Sequence, residues 1–278
     1  MGKLYDDVMS VIDFQLDKDT KNAEERFLIK GRKVLYYLFF ANIIVLSFAI
    51  FCIIDEFPLG FLIFPIFSLV SVAFLKHRGI KKQKQINVLM YDECNFTKLL
   101  TIYLVRIRYH GASQKARHVL LWNTSSSLFY LGRFEEGKRV IDLVKKYCDT
   151  PKGKAARLFY YAMVARIGMD KEKVNDCIKE LDAVMPNIKT PYIIKTYDTI
   201  SKYPIGIEAE EKGDYHKAKE LIKQDEKQGT LLKLSANYRL YKVAIAAGMN
   251  DKAKEHRAFI IKNGGDTFFK KELINENS

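Results

Sequence analysis

VLYYLFFANIIVLSFAIFCII at residues 34–54 and FPLGFLIFPIFSLVSVAFL at residues 57–75 are two runs without a single charge, separated only by Asp55 and Glu56. At about 1.5 Å per helical residue, 21 and 19 residues reach roughly 31 and 28 Å, which matches a hydrocarbon core of about 30 Å. Two residues leave room only for a tight turn, so the pattern predicts an antiparallel transmembrane hairpin. The competing reading is a buried helical hairpin in a soluble protein. The basic residues outside both runs argue against it.

Charge sets the expected topology. Arg26, Lys30, Arg32 and Lys33 precede the first run; Lys76, Arg78, Lys81, Lys82 and Lys84 follow the second. Cationic flanks stay on the cytoplasmic side, so both termini are expected inside and the acidic turn outside. A cleaved signal peptide is not expected. The first apolar run begins only after 33 residues, is longer than a signal core and lacks a small-x-small cleavage site. Cys52 follows Phe51 and does not read as a lipoprotein cysteine. The short hairpin and the lack of an organelle signal point to a bacterial plasma membrane.

The chain of 278 residues carries a net charge of +13. Residues 1–33 are neutral, 34–75 carry −2, 76–117 carry +8 and 118–278 carry +7. The excess is densest just after the hairpin, where each base near an anionic leaflet gains on the order of 1 kcal/mol. An anionic lipid surface therefore explains the basicity better than nucleic acid does. The surface residues expected are Lys76, Arg78, Lys81, Lys82 and Lys84. Cys52, Cys94, Cys148 and Cys177 form no C-x-x-C pair or metal-ligand spacing and read as ordinary thiols of a reducing compartment.

The organisation expected is an N-terminal cytoplasmic amphipathic segment (1–33), the hairpin (34–75), a basic juxtamembrane and connecting helix (76–117) and a repeat domain (118–278). In the first segment Leu4, Val8, Val11, Ile12 and Leu16 share a helical face, suited to packing on the cytoplasmic domain. From Ile80 to His110 a broad apolar face runs through Val88, Leu89, Phe96, Leu100, Leu104 and Ile107, and Gly111 interrupts it.

The remainder repeats. GRFEEG at 132–137, GMDKEKV at 168–174, GDYHKA at 213–218 and GMNDKA at 248–253 each follow an apolar-aromatic helix and open a second amphipathic one. The glycines are 36, 45 and 35 residues apart. A glycine suits the left-handed residue that ends a helix. The small residue five positions on lets the second helix approach the first. In the third unit Pro204 and Gly206 are expected to break the first helix.

These segments resemble the tetratricopeptide repeat family, which stacks 34-residue helix–turn–helix units. GDYHKAKE at 213–220 and LGRFEEGKRV at 131–140 carry the likeness, which covers roughly 118–262. The chain departs from the family in the first-helix tryptophan and Leu-Gly pair, in the closing proline, and at Gly137 and Lys173 or Val174, where alanine is usual. The fold class expected is all-α: a transmembrane hairpin followed by a solenoid.

No nucleotide-binding, hydrolase or metalloprotease signature is present, and the five histidines lack ligand spacing. No catalysis, cofactor or metal is expected. Ser125, Ser126 and Ser127 read as a small helix-packing face, and Glu208, Glu210 and Glu211 as a solvated turn. Asn42 with Ser68 and Ser71 could hydrogen-bond across the hairpin or contact another membrane subunit.

Members of the family commonly bind an extended peptide or helix along the groove lined by the first helices. Aligned on the glycines, the resemblance implies a groove of Trp122, Ser126, Phe129 and Tyr130; Leu158, Ala162 and Arg166; Tyr203 and Ile207; and Tyr238, Arg239 and Lys242. Trp122, Tyr130, Arg166, Tyr238 and Lys242 are the favoured partner contacts, although several aromatics could be core. Aromatics with a few cations suit a peptide with apolar anchors and an acidic group or free carboxylate. The expected role is a membrane-anchored scaffold or adaptor. The alternative is an accessory, regulatory or immunity-type subunit of a membrane transport or secretion system, acting through its hairpin.

Overall fold

The computed structural model describes residues 3–54, 62–110, 114–222 and 229–276. Asp55 and Glu56, the start of the second apolar run and the interruption at Gly111 lie outside the described residues. No strand occurs among those described. In chain order the α-helices are α1 (Lys3–Val11), α2 (Lys18–Ile54), α3 (Ile63–Asn87), α4 (Phe96–His110), α5 (Gln114–Tyr130), α6 (Phe134–Asp142), α7 (Val144–Tyr147), α8 (Pro151–Ile167), α9 (Lys171–Val184), α10 (Pro191–Ile200), α11 (Tyr203–Glu211), α12 (Tyr215–Ile222), α13 (Thr230–Ala246), α14 (Asn250–Asn263) and α15 (Phe268–Asn275).

The chain divides into two compact units. One is residues 18–88, made of α2 and α3. Both helices are long and apolar enough to cross a bilayer, and only 6% of the residues in each apolar window are buried. Phe39, Phe40, Ile44, Phe48, Leu69 and Val70 are all exposed. A hairpin serving as a soluble core would bury these side chains. The polar segment before the first apolar run is continuous with it in α2. Asn42 joins the two helices: Ser68 Oγ donates to Asn42 Oδ1 at 2.8 Å, and Asn42 Nδ2 donates to Leu38 O at 2.7 Å and more weakly to Ser71 Oγ at 3.4 Å.

The other unit joins residues 1–17 to 89–278. The amphipathic α1 buries Leu4 and Val8, packing against α4 and α6. Asp7 fixes it through Lys146 and the Tyr147 hydroxyl, the latter at 2.6 Å. The helix pattern expected to run unbroken from Ile80 to His110 is in fact interrupted. A π-helical turn at Val88–Asp92 follows α3, and Cys94 takes a left-handed φ of 50° before α4 begins.

Beyond α5, helix–turn–helix pairs follow one another: α5/α6, α8/α9, α11/α12 and α13/α14. Their turns share one backbone device. Gly132, Gly213 and Gly248 have φ of +83°, +63° and +69°, and the residue after each donates its N–H to a carbonyl five back. In the second pair the left-handed residue is Met169 (φ 56°), not Gly168, so that unit is registered one residue later than glycine alignment implies. Val174, five residues after Met169, then aligns with Gly137, Ala218 and Ala253, and all four are buried. Asp170 and Asp214 cap α9 and α12, each accepting from an N–H three residues on at 3.0 Å.

The serine run packs as expected for a small face: Ser125, Ser126 and Ser127 are buried, and a Cβ at Gly137 would lie 3.1 Å from the Ser125 carbonyl. The first helix of the third unit is split into α10 and α11, with Pro204 in the first turn of α11.

Candidate functional site

Helices α5, α8, α11, α13 and α15 enclose a cavity of about 430 Å³ within the larger unit. Tyr130, Arg166, Tyr238 and Lys242 all line it, so four of the five positions favoured from sequence come together. Trp122 does not. It lies edge-on to Phe159, 6.3 Å between ring centres, and lines a small separate recess with His118, Lys152 and Tyr192. Phe129, Tyr203 and Arg239 also line this cavity. Leu158 and Ala162 are core, with Ile193 and Ile200, and Ile207 is core with Val174; Ser126 is buried as well.

One wall is aromatic. Tyr130 stacks on Phe96 at 4.5 Å, and Phe269 lies 4.9 Å from Tyr238 and 6.2 Å from Tyr130. Lys242, one helical turn after Tyr238, shares an acid with it on α15: Glu272 accepts from the Tyr238 hydroxyl and from Lys242 Nζ, each at 2.5 Å. Burial foremost, and then this carboxylate, push the Tyr238 phenol well above its ordinary range. The hydroxyl therefore stays protonated and donates.

A second group in the lining is charged. Arg166 and Glu210 are ion-paired, and Arg239 Nε donates to the same Glu210 Oε1 at 2.9 Å. Burial, then the neighbouring Arg239, lower the Arg166 pKa from its usual value. Gly206 lies close to both guanidinium groups: a Cβ there would lie 3.1 Å from Arg239 Nη2 and 3.5 Å from Arg166 Nη2. The acidic cluster of α11 is thus not a uniform solvated turn. Glu208 is half-buried and pairs with Lys171 and Lys212, whereas Glu210 is buried. Nothing in the sequence sets Glu210 apart from Glu208 and Glu211.

The basic residues of α3 fall into two sets. Lys76, Lys81 and Lys84 are exposed. Arg78 and Lys82 engage α2: Arg78 Nη2 donates to Phe27 O at 3.0 Å, Lys82 sits 2.7 Å from Glu24, and both cations lie over the Phe27 ring. The four cysteines are free and buried; burial pushes the Cys94 thiol up to about 12 and those of Cys148 and Cys177 to about 11. Among the described residues no group of His, Cys, Asp and Glu could hold a metal ion. No family model, curated protein or solved structure matches the chain.

Proposed function

We propose that this chain is a membrane-anchored scaffold or adaptor that presents a tetratricopeptide-like helical domain at the cytoplasmic face and captures a segment of a partner protein in its cavity. The observation that carries this reading is the convergence of Tyr130, Arg166, Tyr238 and Lys242, from three helices distant in sequence, on one cavity. Buried aromatic and Arg anchors are the side chains that dominate binding energy.

Anchoring rests on α2 and α3. Residues 1–17 and 89–278 share one compact unit although the hairpin lies between them in the chain. If the hairpin spans a bilayer, both flanks must then lie on the same side, and the basic residues favour the cytoplasm. Lys76, Lys81 and Lys84 are the side chains exposed for an anionic lipid surface.

The alternative, a subunit acting through its hairpin, has less support. The polar side chains that could bind another membrane helix, Asn42, Ser68 and Ser71, hydrogen-bond one another. A photo-crosslinking amino acid placed in turn at Lys242, Lys179 and Leu69 of the full chain in native membranes separates the readings. A partner adduct at Lys242 and not at the exposed Lys179 fits the scaffold. Adducts only at Leu69, on the hairpin, would replace it with the alternative.

A further inference from the structure

We infer that α15 is an intramolecular occupant of the cavity: in the resting chain this helix covers the partner surface, and a partner segment binds by displacing it. This rests on the reading of the cavity as the partner site and names how that site is regulated.

Of the four residues that converge on the cavity from different helices, three are engaged by α15. Phe269 lies against the rings of Tyr130 and Tyr238. Glu272 accepts from the Tyr238 hydroxyl and from Lys242 Nζ. Glu276, one turn further, lies 3.9 Å from Lys242 and accepts from the Tyr241 hydroxyl at 2.8 Å. Phe269, Glu272 and Glu276 recur at spacings of three and four, so one helical stripe brings an aromatic anchor and two acids to the same wall. A partner that uses Tyr130, Tyr238 and Lys242 cannot reach them while that stripe is in place.

The attachment of α15 has two parts. Phe268, Phe269 and Leu273 are buried and make the covered state the resting one. The acids stand at the rim: the side chains of Lys242, Glu272 and Glu276 are 46%, 37% and 38% exposed. Pairs so exposed hold weakly, and a competing segment meets them first. Gly264 and Gly265 precede the helix, and Asp266 ties its start to α4 through the Phe96 and Thr97 N–H groups. A displaced α15 therefore stays tethered. It competes as an intramolecular ligand at an effective concentration on the order of mM, which sets the threshold that a partner must exceed.

The test is the binding of a fluorescent synthetic peptide of residues 264–276 to the full chain in detergent, read by anisotropy. The wild-type cavity holds its own copy and should take up the peptide weakly. Glu272→Gln with Glu276→Gln removes both acids that face Lys242 and keeps the buried rings. This variant should bind the peptide on the order of tenfold more tightly, because the tethered competitor is weakened, with its circular-dichroism unfolding midpoint little changed. Glu276→Gln alone should give a smaller gain in the same direction. A peptide carrying Phe268→Ser and Phe269→Ser should bind neither chain. In native membranes, a photo-crosslinker at Ala246, which lines the cavity and leaves Lys242 intact, should give several-fold more partner adduct in the double variant. Equal peptide affinity for both chains, uptake by neither, or less adduct in the variant would make α15 a fixed wall and overturn the proposal. An equal Ala246 adduct in both chains would sink this inference and leave the partner reading standing. Peptide uptake by the variant with no adduct at Ala246 or Lys242 would support a displaceable α15 and sink the partner reading.

Discussion

The carboxylate of Asp266 caps the helix that begins at Phe96, 170 residues away in the chain. Asp266 Oδ1 accepts from the Phe96 N–H at 2.7 Å and Oδ2 from the Thr97 N–H at 2.8 Å, while its own N–H donates to Cys94 O at 3.3 Å. Gly265 before it, with φ +53°, approaches so closely that a Cβ would lie 2.3 Å from Cys94 O. The aromatic contacts of Phe268 with Phe129 and Phe134 continue this joint. The last helix α15 is thereby fastened to the start of α4 and the end of α5, which fixes the wall that Phe269 and Glu272 give the cavity.

Asp266→Ala should therefore cost about 1–2 kcal/mol, the upper part of the range for a lost helix cap, because two orphan N–H groups lose their acceptor. Chemical denaturation of the full chain in detergent, followed by helical circular dichroism, measures it. A change within about 0.5 kcal/mol, as at an ordinary surface position, would mean that the joint does not hold α15 in place.

Gly137 is the next site where geometry dictates an outcome. A Cβ there would lie 1.9 Å from Tyr160 Oη and 3.1 Å from the Ser125 carbonyl. The Tyr160 hydroxyl occupies that space because it donates to Phe134 O at 2.9 Å. Gly137→Ala, the residue usual in the family the segment resembles, should destabilise by about 1–3 kcal/mol through overpacking. Tyr160→Phe should recover part of that loss in the double variant. Full additivity of the two changes would show that they do not meet.

These two sites also show what was legible in the sequence. The apolar runs of α2 and α3 announce themselves because about 20 consecutive residues without charge suit a bilayer interior and little else. Helix pairs could be read from the glycine turns because φ above zero leaves a residue preference in the chain. The break at Cys94 left no such mark: the apolar face continues across it, and its stabilising partners, Gly265 and Asp266, lie near the other end of the sequence. Met169 hid the register of the second pair by taking the left-handed conformation beside a glycine that does not. At the cavity, Tyr130, Arg166, Tyr238 and Lys242 could be reached through the family resemblance, by aligning the units on their glycines, but Glu210 could not be told from Glu208 and Glu211. Only the packing of Arg166 and Arg239 over Gly206 separates a buried acid from its solvated neighbours.

Trp122 should report on packing rather than on binding. It is half-buried against Phe159, outside the cavity that Arg166 and Tyr238 line. Trp122→Ala should cost about 2 kcal/mol, below the 3–5 typical of a fully buried aromatic, while a crosslinker at Lys242 still captures the partner. Unchanged stability together with a lost adduct would return Trp122 to the binding surface.

In the hairpin, Asn42 and Ser68 should behave as one unit. Interhelical hydrogen bonds in membranes average about 0.6 kcal/mol, so Asn42→Ala and Ser68→Ala should each destabilise the hairpin by about that amount. The double variant should cost little more than either alone, because each removes the same 2.8 Å bond. Thermal unfolding in detergent of the four members of this cycle gives the coupling directly. Strict additivity would mean that the bond contributes nothing.

The recess beside Trp122 predicts a pH dependence. His118 has its pKa lowered from 6.5, first by burial and then by the positive charge of Lys152. The unfolded chain therefore takes up a proton at higher pH than the folded one, and stability rises with pH wherever the unfolded state binds more protons. Stability contributed by neutral His118 is complete above about 6.5 and is lost as pH falls below that value toward the folded-state pKa. Several acids act in the same direction at lower pH: Asp7, Asp170, Glu208 and Glu255 have pKa values lowered chiefly by hydrogen bonds from lysines, so their contributions are present above the ordinary carboxylate range and are lost only as the pH falls through it. The two windows do not overlap. Between pH 7.5 and 5.5 the wild-type midpoint should fall, and His118→Asn should fall less. Lys152→Gln should also flatten the profile, because it removes the second cause of the shift. Parallel profiles for wild type and His118→Asn would show that His118 titrates alike in the folded and unfolded chain.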